Sequence, residues 1–359
     1  LKWLRKKKSH IPLTEWNTSI QGGSLLKKVM NQPEQIVKEM LEGMILAHPD
    51  RLRGIKESGV LLRTDAPVEG KVGLVSGGGS GHEPAHGGFV GKGMLDAAVA
   101  GEVFTSPTPD RILEAIKAVD SGKGVLCIVK NYTGDVLNFE MAVELAAAEG
   151  IEVDSVVVND DVAVEDSTHT TGRRGIAGTL FVHKVAGAKA ESGATLPEVK
   201  ETARKAIGRI RSMGVALTPC TPPEAGKPSF TLEEDEIEIG IGIHGEPGVK
   251  RTKLLPASRL VRTLFDRIRE DLPFKAGDRV AVMVNGMGST PLMELNVVHK
   301  ELMACLREKE MKMVEAWVGE YMTSLDMAGF SLTLFQLDEE LEALLAQPAD
   351  SVTIRRGGN

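Results

Sequence analysis

Apolar positions along the chain follow two spacings in turn. The first is helical: residues 33–47, PEQIVKEMLEGMILA, place Ile36, Met40, Leu41 and Met44 on one face at three- and four-residue intervals. Short apolar runs of strand length follow at Lys71–Ser76 (KVGLVS), Gly124–Val129 (GVLCIV) and Ile151–Val158 (IEVDSVVV). Helical spacing returns between them, over Arg111–Val119 and Leu137–Glu149, and again through Ile176–Ser192 and Leu196–Met213. Strands alternating with helices predict an α/β fold, a mainly parallel or mixed sheet flanked by helices. A loop rich in breakers, CTPPEAGKPSF, runs from Cys220 to Phe230. Beyond it the style repeats, with strands predicted at Glu236–Ile243, Asp278–Val284 and Phe330–Asp338 and helices at Ala257–Glu270 and Leu292–Lys309. We therefore expect two α/β domains, residues 25–213 and 214–359, behind an extra tail of residues 1–24 that is not part of the fold. No fixed-period repeat appears, which excludes a solenoid.

Composition changes this picture little. The chain has 359 residues, enough for two domains of ordinary size, and its 39 glycines suit the tight strand-to-helix turns of such sheets. A net charge of −7 argues against a nucleic-acid surface. Residues 1–30 are basic, with seven Lys or Arg against one Glu, but they contain no apolar stretch of the signal-peptide kind and read as a solvated tail. No apolar run reaches the ~18–20 residues of a membrane span, so no membrane partner is expected. Cys127, Cys220 and Cys305 are widely separated and form no CxxC pair. Such a sparse, odd set fits a reducing, cytoplasmic compartment, and Cys127, in an apolar run, reads as a buried thiol.

Three glycine-rich loops carry the candidate chemistry. The first follows KVGLVS and reads GGGSGHEPAHGG, Gly77–Gly88. It lies where a parallel strand ends, which is where such sheets bind ligands. A phosphate loop of the Walker kind needs a lysine and a hydroxyl after its glycines, and here they run into His82 instead. His82 is either a turn histidine satisfied by backbone or a functional group, and His86 reads as structural. In the second loop, after GVLCIV, Lys130 and Asp135 bracket a tight turn. Asp135 reads equally as a helix N-cap or as the base for a polyol hydroxyl. The third, GIGIHGEPG (Gly240–Gly248), contains a literal GxGxxG. Its first glycines lie inside a strand pattern and no helical periodicity follows until about Ala257, so the pyrophosphate geometry of a dinucleotide site is missing. No HxH, HxxxH or cysteine neighbour supports a metal at His244. What remains is an imidazole flanked by glycines, a nucleophile able to form a covalent intermediate.

Taken together, SGGGSGHEP (Ser76–Pro84), GEVFTSPTPD (Gly101–Asp110), KNYTGDVLNFE (Lys130–Glu140), DDVAVEDS (Asp160–Ser167), GRRGIAGT (Gly172–Thr179), AGKPSFTL (Ala225–Leu232), GIGIHGEPG and TSLDMAGFSLTL (Thr323–Leu334) resemble the dihydroxyacetone kinase family, and within it the stand-alone substrate-binding subunit. The resemblance covers the chain from Leu25 to about Leu337 and implies a phosphotransferase acting on an alcohol, active only with a partner. It implies that His244 adds to the carbonyl of dihydroxyacetone to give a hemiaminal, that Asp135 is the general base, and that His82 hydrogen-bonds the substrate and accepts a proton. Gly79, Ser80, Gly81 and Lys130 match substrate contacts. Family members that work alone carry a further helical ATP-binding domain. None follows here, and no acidic cluster suited to Mg-ATP occurs. ADP or ATP with Mg is therefore expected on a separate helical kinase subunit, recharged by a phosphotransferase-system protein or exchanged as free ATP, with no cofactor in this chain. The family subunit is typically a homodimer. A ketose-binding coactivator or sensor, and a kinase for a related ketose such as erythrulose, are the alternatives. The presence of His244, His82 and Asp135 together favours the enzyme.

Overall fold

The computed structural model describes residues 27–164 and 172–357, so the tail read at residues 1–24 lies outside the described residues. Helix α1 (Ile36–Ala47) leads into strands β1 (Leu52–Gly54), β2 (Val60–Arg63), β3 (Gly73–Ser80), β4 (Gly91–Lys92) and β5 (Ala97–Val103). There follow α2 (Pro109–Val119), β6 (Val125–Lys130), α3 (Thr133–Ala148) and β7 (Val153–Val158). Six of these strands form one sheet in the order β1-β2-β5-β3-β6-β7. β5, β3, β6 and β7 run parallel, and β1 and β2 add an antiparallel edge. The carboxyl ends of the four parallel strands therefore open on one side, where an α/β sheet forms its ligand crevice.

The chain continues through α4 (Thr179–Glu191), α5 (Leu196–Ile207) and β8 (Ile210–Ala216). The helix predicted to run unbroken to Met213 thus stops at Ile207. Gly208 ends it, and residues 210–216 pair instead along β13, all but Arg211 buried there; the apolar run alone does not distinguish a buried strand from a helical turn. β9 (Glu236–Ile239), β10 (Lys250–Lys253), α6 (Ala257–Asp271), β11 (Arg279–Gly286), α7 (Leu292–Glu308), β12 (Lys312–Gly319) and β13 (Gly329–Leu337) complete this half. Its sheet has the order β10-β9-β8-β13-β11-β12. Only β11 and β12 are parallel; every other pair is antiparallel. The mainly parallel pattern therefore holds for the first sheet, while the second is mixed because β13 inserts between β8 and β11. Gly214 lies inside β8. The last elements, α8 (Glu339–Ala346), β14 (Ala349–Ser351) and β15 (Arg355–Arg356), return to the first half: α8 packs on α4, and β14 pairs with β4.

Helix α4 joins the two halves. It is buried along almost its whole length, with Leu180, Phe181, Val182 and Val185 fully buried and even His183 and Lys184 covered. Phe181 meets Trp317 and Phe335 of the second sheet at ring distances of 4.7 and 5.5 Å. One apolar core accordingly contains Leu74 and Ile128 from the first sheet with Met283 and Phe335 from the second. A second tie is polar. The segment Thr323–Leu325, between β12 and β13, lies along the end of β3: the Thr323 and Leu325 N–H groups donate to the His82 and Gly81 carbonyls at 3.1 and 2.8 Å. All three cysteines are free and buried, and burial, with the Asp154 charge, pushes the Cys127 thiol up to about 12. Among the described residues no helix is long and apolar enough to cross a membrane.

The glycines of β3 set how closely its neighbour approaches. A Cβ at Gly77 would overlap the Val99 carbonyl oxygen of β5. Gly77→Ala should force these strands apart and lower stability by about 1–3 kcal/mol, the usual cost of overpacking, read as a lower denaturation midpoint. An unchanged midpoint would show that the β3–β5 pairing spreads freely.

Candidate active site

The strand predicted to end at Ser76 continues to Ser80, so Gly77, Gly78 and Gly79 belong to β3 and not to a loop. Their lack of side chains serves close approach. A Cβ at Gly79 would stand 2.7 Å from the Phe104 carbonyl carbon, and one at Gly78 would displace Lys130 Nζ and lie 3.4 Å from Asp135 Oδ2. Ser80 Oγ donates to the Gly101 carbonyl at 2.7 Å, so its hydroxyl proton is used within the protein. Gly81, at φ +101°, turns the chain, and its N–H is shared by the two Glu83 oxygens at 3.1 Å.

This turn delivers His82, 1% exposed, into the interior. Its Nδ1 lies 2.7 Å from the Thr323 carbonyl oxygen. A carbonyl only accepts, so Nδ1 carries the hydrogen and the neutral ring keeps a lone pair on Nε2. That Nε2 is buried and bonded to nothing. Burial, then the charges at His244 and Lys130, hold the ring well below the usual histidine range. His86 lies elsewhere: its Nδ1 is 3.0 Å from His183 Nε2 in the core.

Lys130 ends β6 and Asp135 is the third residue of α3. The N-cap position belongs to Tyr132, so Asp135 is not the cap that its place before an apolar helix suggested. It sits in the first turn, where the helix dipole favours an anion, and Oδ2 accepts from Lys130 Nζ at 3.1 Å. Both side chains are buried, Lys130 to 1% and Asp135 to 6% exposure, so each is the other's charge partner.

The strand expected to reach Ile243 ends at Ile239. Gly240 and Gly245, at φ +82° and +85°, fold residues 240–248 into a turn, which leads to β10 and not to a helix. These glycines therefore do not build a dinucleotide site. Gly242 instead leaves room for a carboxylate: Glu246 Oε2 and Arg174 Nη1 occupy the space its Cβ would need. Glu246 accepts from the His244 backbone N–H at 2.9 Å and from His244 Nδ1 at 2.7 Å. Burial works to raise the Glu246 carboxyl, but the bond and charge of His244, together with backbone N–H groups, outweigh it and hold the group at about 2.

Three rings surround the His244 imidazole: His82 at 4.8 Å, Phe104 at 5.1 Å and Tyr132 at 4.7 Å, all near edge-on. Phe104 also stacks on His82 at 5.1 Å. Lys130 Nζ lies 5.8 Å from the Tyr132 ring, so Tyr132 neighbours both the Lys130–Asp135 pair and His244. Its hydroxyl is buried without a partner, and burial raises its pKa well above the ordinary phenol value. The His244 side chain keeps 21% exposure. The structure thus brings His82, His244, Lys130, Asp135 and Gly78–Gly81 to one place, and adds Phe104, Tyr132, Glu246 and Thr323, which sequence reasoning did not single out. All four stand inside quoted motif stretches, the only signal available for them. Among the described residues no group of three or more His, Cys, Asp or Glu is placed to hold a metal ion.

Comparison with known proteins agrees with this geometry. A family model described as the Dak1 domain matches residues 42–353. The dihydroxyacetone-binding subunit DhaK of PTS-dependent dihydroxyacetone kinase 1 from Listeria innocua is 55% identical over 328 residues, 91% of this chain and 99% of its own length. The corresponding subunit of the PEP-dependent kinase from Escherichia coli is 44% identical, over 92% of this chain and all of its own. Among solved structures, the dihydroxyacetone kinase of C. freundii superposes with a TM-score of 0.85 at 37% identity, covering 92% of this chain and 61% of that one. A dihydroxyacetone kinase operon co-activator also superposes at 0.85, with 39% identity, 91% coverage of this chain and 100% of its own. The chain belongs to the Dak1 domain family, that of the dihydroxyacetone kinase subunits.

Proposed function

We propose that this chain is the dihydroxyacetone-binding subunit of a dihydroxyacetone kinase, holding its substrate covalently on His244 while a separate subunit supplies the phosphoryl group. The single observation that carries the reading is the pair of imidazoles 4.8 Å apart, each with Nδ1 bonded to an acceptor. Both rings, when neutral, then keep their lone pairs on Nε2. The names of the near full-length relatives support the substrate and the division of labour, since they are called dihydroxyacetone-binding subunits of PTS- or PEP-dependent kinases. The nucleotide, ADP or ATP with Mg, belongs on a helical partner recharged by a phosphotransferase-system protein, and the subunit acts as a cytoplasmic homodimer.

The His244 Nε2 lone pair adds to the carbonyl carbon, forming a C–N bond as the carbonyl π pair moves to oxygen, which takes up a proton. A ketone accepts this attack and glycerol does not, so the tether separates ketotrioses from polyols better than hydrogen bonding alone. It also fixes the far hydroxyl for in-line transfer, where positioning supplies most of the catalysis. His82 Nε2, beside His244, takes the adduct's hydroxyl proton when the C–N bond opens. Asp135, paired with Lys130 beside Tyr132, takes the proton of the hydroxyl being phosphorylated. The co-activator likeness favours no change in this reading, because its identity to the chain, 39%, is below the 55% of the kinase subunit.

Dihydroxyacetone labelled with carbon-13 at its carbonyl should lose the ketone resonance and gain a tetrahedral one on binding, and His244→Ala should abolish that change. A ketone signal that persists in the bound wild-type complex overturns the covalent reading. With a helical nucleotide-carrying partner and a phosphoryl donor the protein should form dihydroxyacetone phosphate, and alone with ATP it should not. In the same assay Asp135→Ala should slow transfer by about 10²–10⁴-fold and leave the adduct intact; undiminished turnover removes Asp135 from the base role. Because the His82 pKa is lowered, its ring should stay neutral with Nε2 unprotonated as the pH falls from 8 to about 6. Nitrogen-15 spectra showing Nε2 protonated in that range would contradict the assigned tautomer.

A further inference from the structure

Glu246 commits both of its oxygens to one residue, Oε1 to the His244 ring and Oε2 to the His244 backbone N–H. The turn that allows this is closed from both sides. Gly242 N–H donates to the Glu246 carbonyl at 3.0 Å, and Gly245 N–H donates to the Gly242 carbonyl at 3.1 Å. Arg174 anchors the start of the turn, donating to the Gly240 carbonyl at 2.8 Å while its Nε donates to the buried Asp161 at 2.9 Å. Only a residue without Cβ fits at 242, where Glu246 and Arg174 converge. So small a turn held by so many bonds fixes the carboxylate relative to the ring.

The chemistry of that contact follows from what a carboxylate can do. It only accepts, so the shared hydrogen sits on Nδ1 and the attacking lone pair on Nε2. When Nε2 bonds carbon, the ring becomes a cation that still holds its Nδ1 hydrogen, 2.7 Å from a negative charge. A carboxyl held at about 2 is too weak a base to remove that hydrogen, so the adduct persists as an imidazolium beside a carboxylate. The balance is one ketone, one neutral imidazole and one proton, the last delivered to the former carbonyl oxygen from water. Reversal expels neutral imidazole, a good leaving group, and returns the proton.

We propose that Glu246 is the positioning residue for the His244 nucleophile, fixing its tautomer and offsetting the charge that develops on the ring as the ketone adds. This rests on the reading of His244 as the covalent ligand of a ketone, and a substrate-free measurement separates the two. In the ligand-free wild type, nitrogen-15 spectra should show His244 protonated at Nδ1. In Glu246→Gln, which keeps the length and loses the charge, Nε2–H should become populated. An unchanged tautomer in that variant overturns the inference even where the kinase reading stands.

With carbon-13 dihydroxyacetone, Glu246→Gln should weaken adduct formation by about 100-fold or more, as loss of the orienting carboxylate does for other catalytic histidines. KM should rise with a smaller loss in kcat. Glu246→Asp, which restores the charge on a shorter arm, should recover part of the affinity; Asp behaving no better than Gln would reduce Glu246 to a turn-shaping role. Thermal melts of both variants identify any that fail to fold, and their His244 spectra are compared only when folded. Adduct formation in folded Glu246→Gln equal to wild type overturns the inference. Absence of the adduct in the wild type itself overturns the covalent reading instead.

Discussion

The hydrogen bond from His82 Nδ1 to the Thr323 carbonyl spans 241 residues of sequence and joins the end of one sheet to the seam of the other. Two backbone bonds from Thr323 and Leu325 run beside it, so a short ladder rather than a single contact holds the histidine. That ladder has a chemical consequence. Because a carbonyl cannot donate, the bond assigns the ring's hydrogen to Nδ1 and leaves Nε2 unprotonated in a buried place. His244 reaches the same place from the second sheet. Neither half of the molecule alone would hold two imidazoles 4.8 Å apart, and the buried helix α4 between the sheets keeps the halves in register.

Burial then decides how these groups behave. Lys130 and Asp135 are almost wholly removed from water, which costs several kcal/mol per ion and is offset by their pairing; deleting one partner of such a pair typically costs about 3–5 kcal/mol. His82 stays neutral for the same reason, since burial disfavours its charged form and the Lys130 ammonium nearby adds to that. Most polar atoms of the site are satisfied by one another. His82 Nε2 and the Tyr132 hydroxyl are buried without a bond within the protein, which is unusual for buried polar groups and marks where the site's polar chemistry is left open.

Glycine patterns misdirect twice in this chain, and for one reason. A run of three glycines and a GxGxxG both suggest phosphate loops, because that is where backbone commonly approaches a ligand. Here the approach is made by the protein's own side chains: Lys130 and Asp135 against Gly78, Glu246 and Arg174 against Gly242. The absence of Cβ is the same in both uses. What differs is the element that follows, and after Gly245 no helix opens toward a phosphate.

Sequence alone determined the α/β class and most of the elements with long regular periodicity, and it singled out His82, His244, Lys130 and Asp135, which the fold brings to one place. It determined them because periodicity and motif spacing are local properties. It misjudged the end of α5, where an apolar run fits a buried strand as well as a helix, and it placed the glycines of β3 in a loop although strand pairing carries them. It did not assign the mixed order of the second sheet, which depends on β13 inserting between strands distant in sequence. The partners of the site residues lay beyond its reach for the same reason. Glu246 is only two residues from His244, yet its bond to the ring exists because Gly240, Gly242 and Gly245 fold the intervening backbone back on itself. Thr323 and Phe104 meet His82 only when the two sheets close. The candidate groups were legible one residue at a time, but which nitrogen of each ring faces an acceptor is decided by contacts that form only on folding.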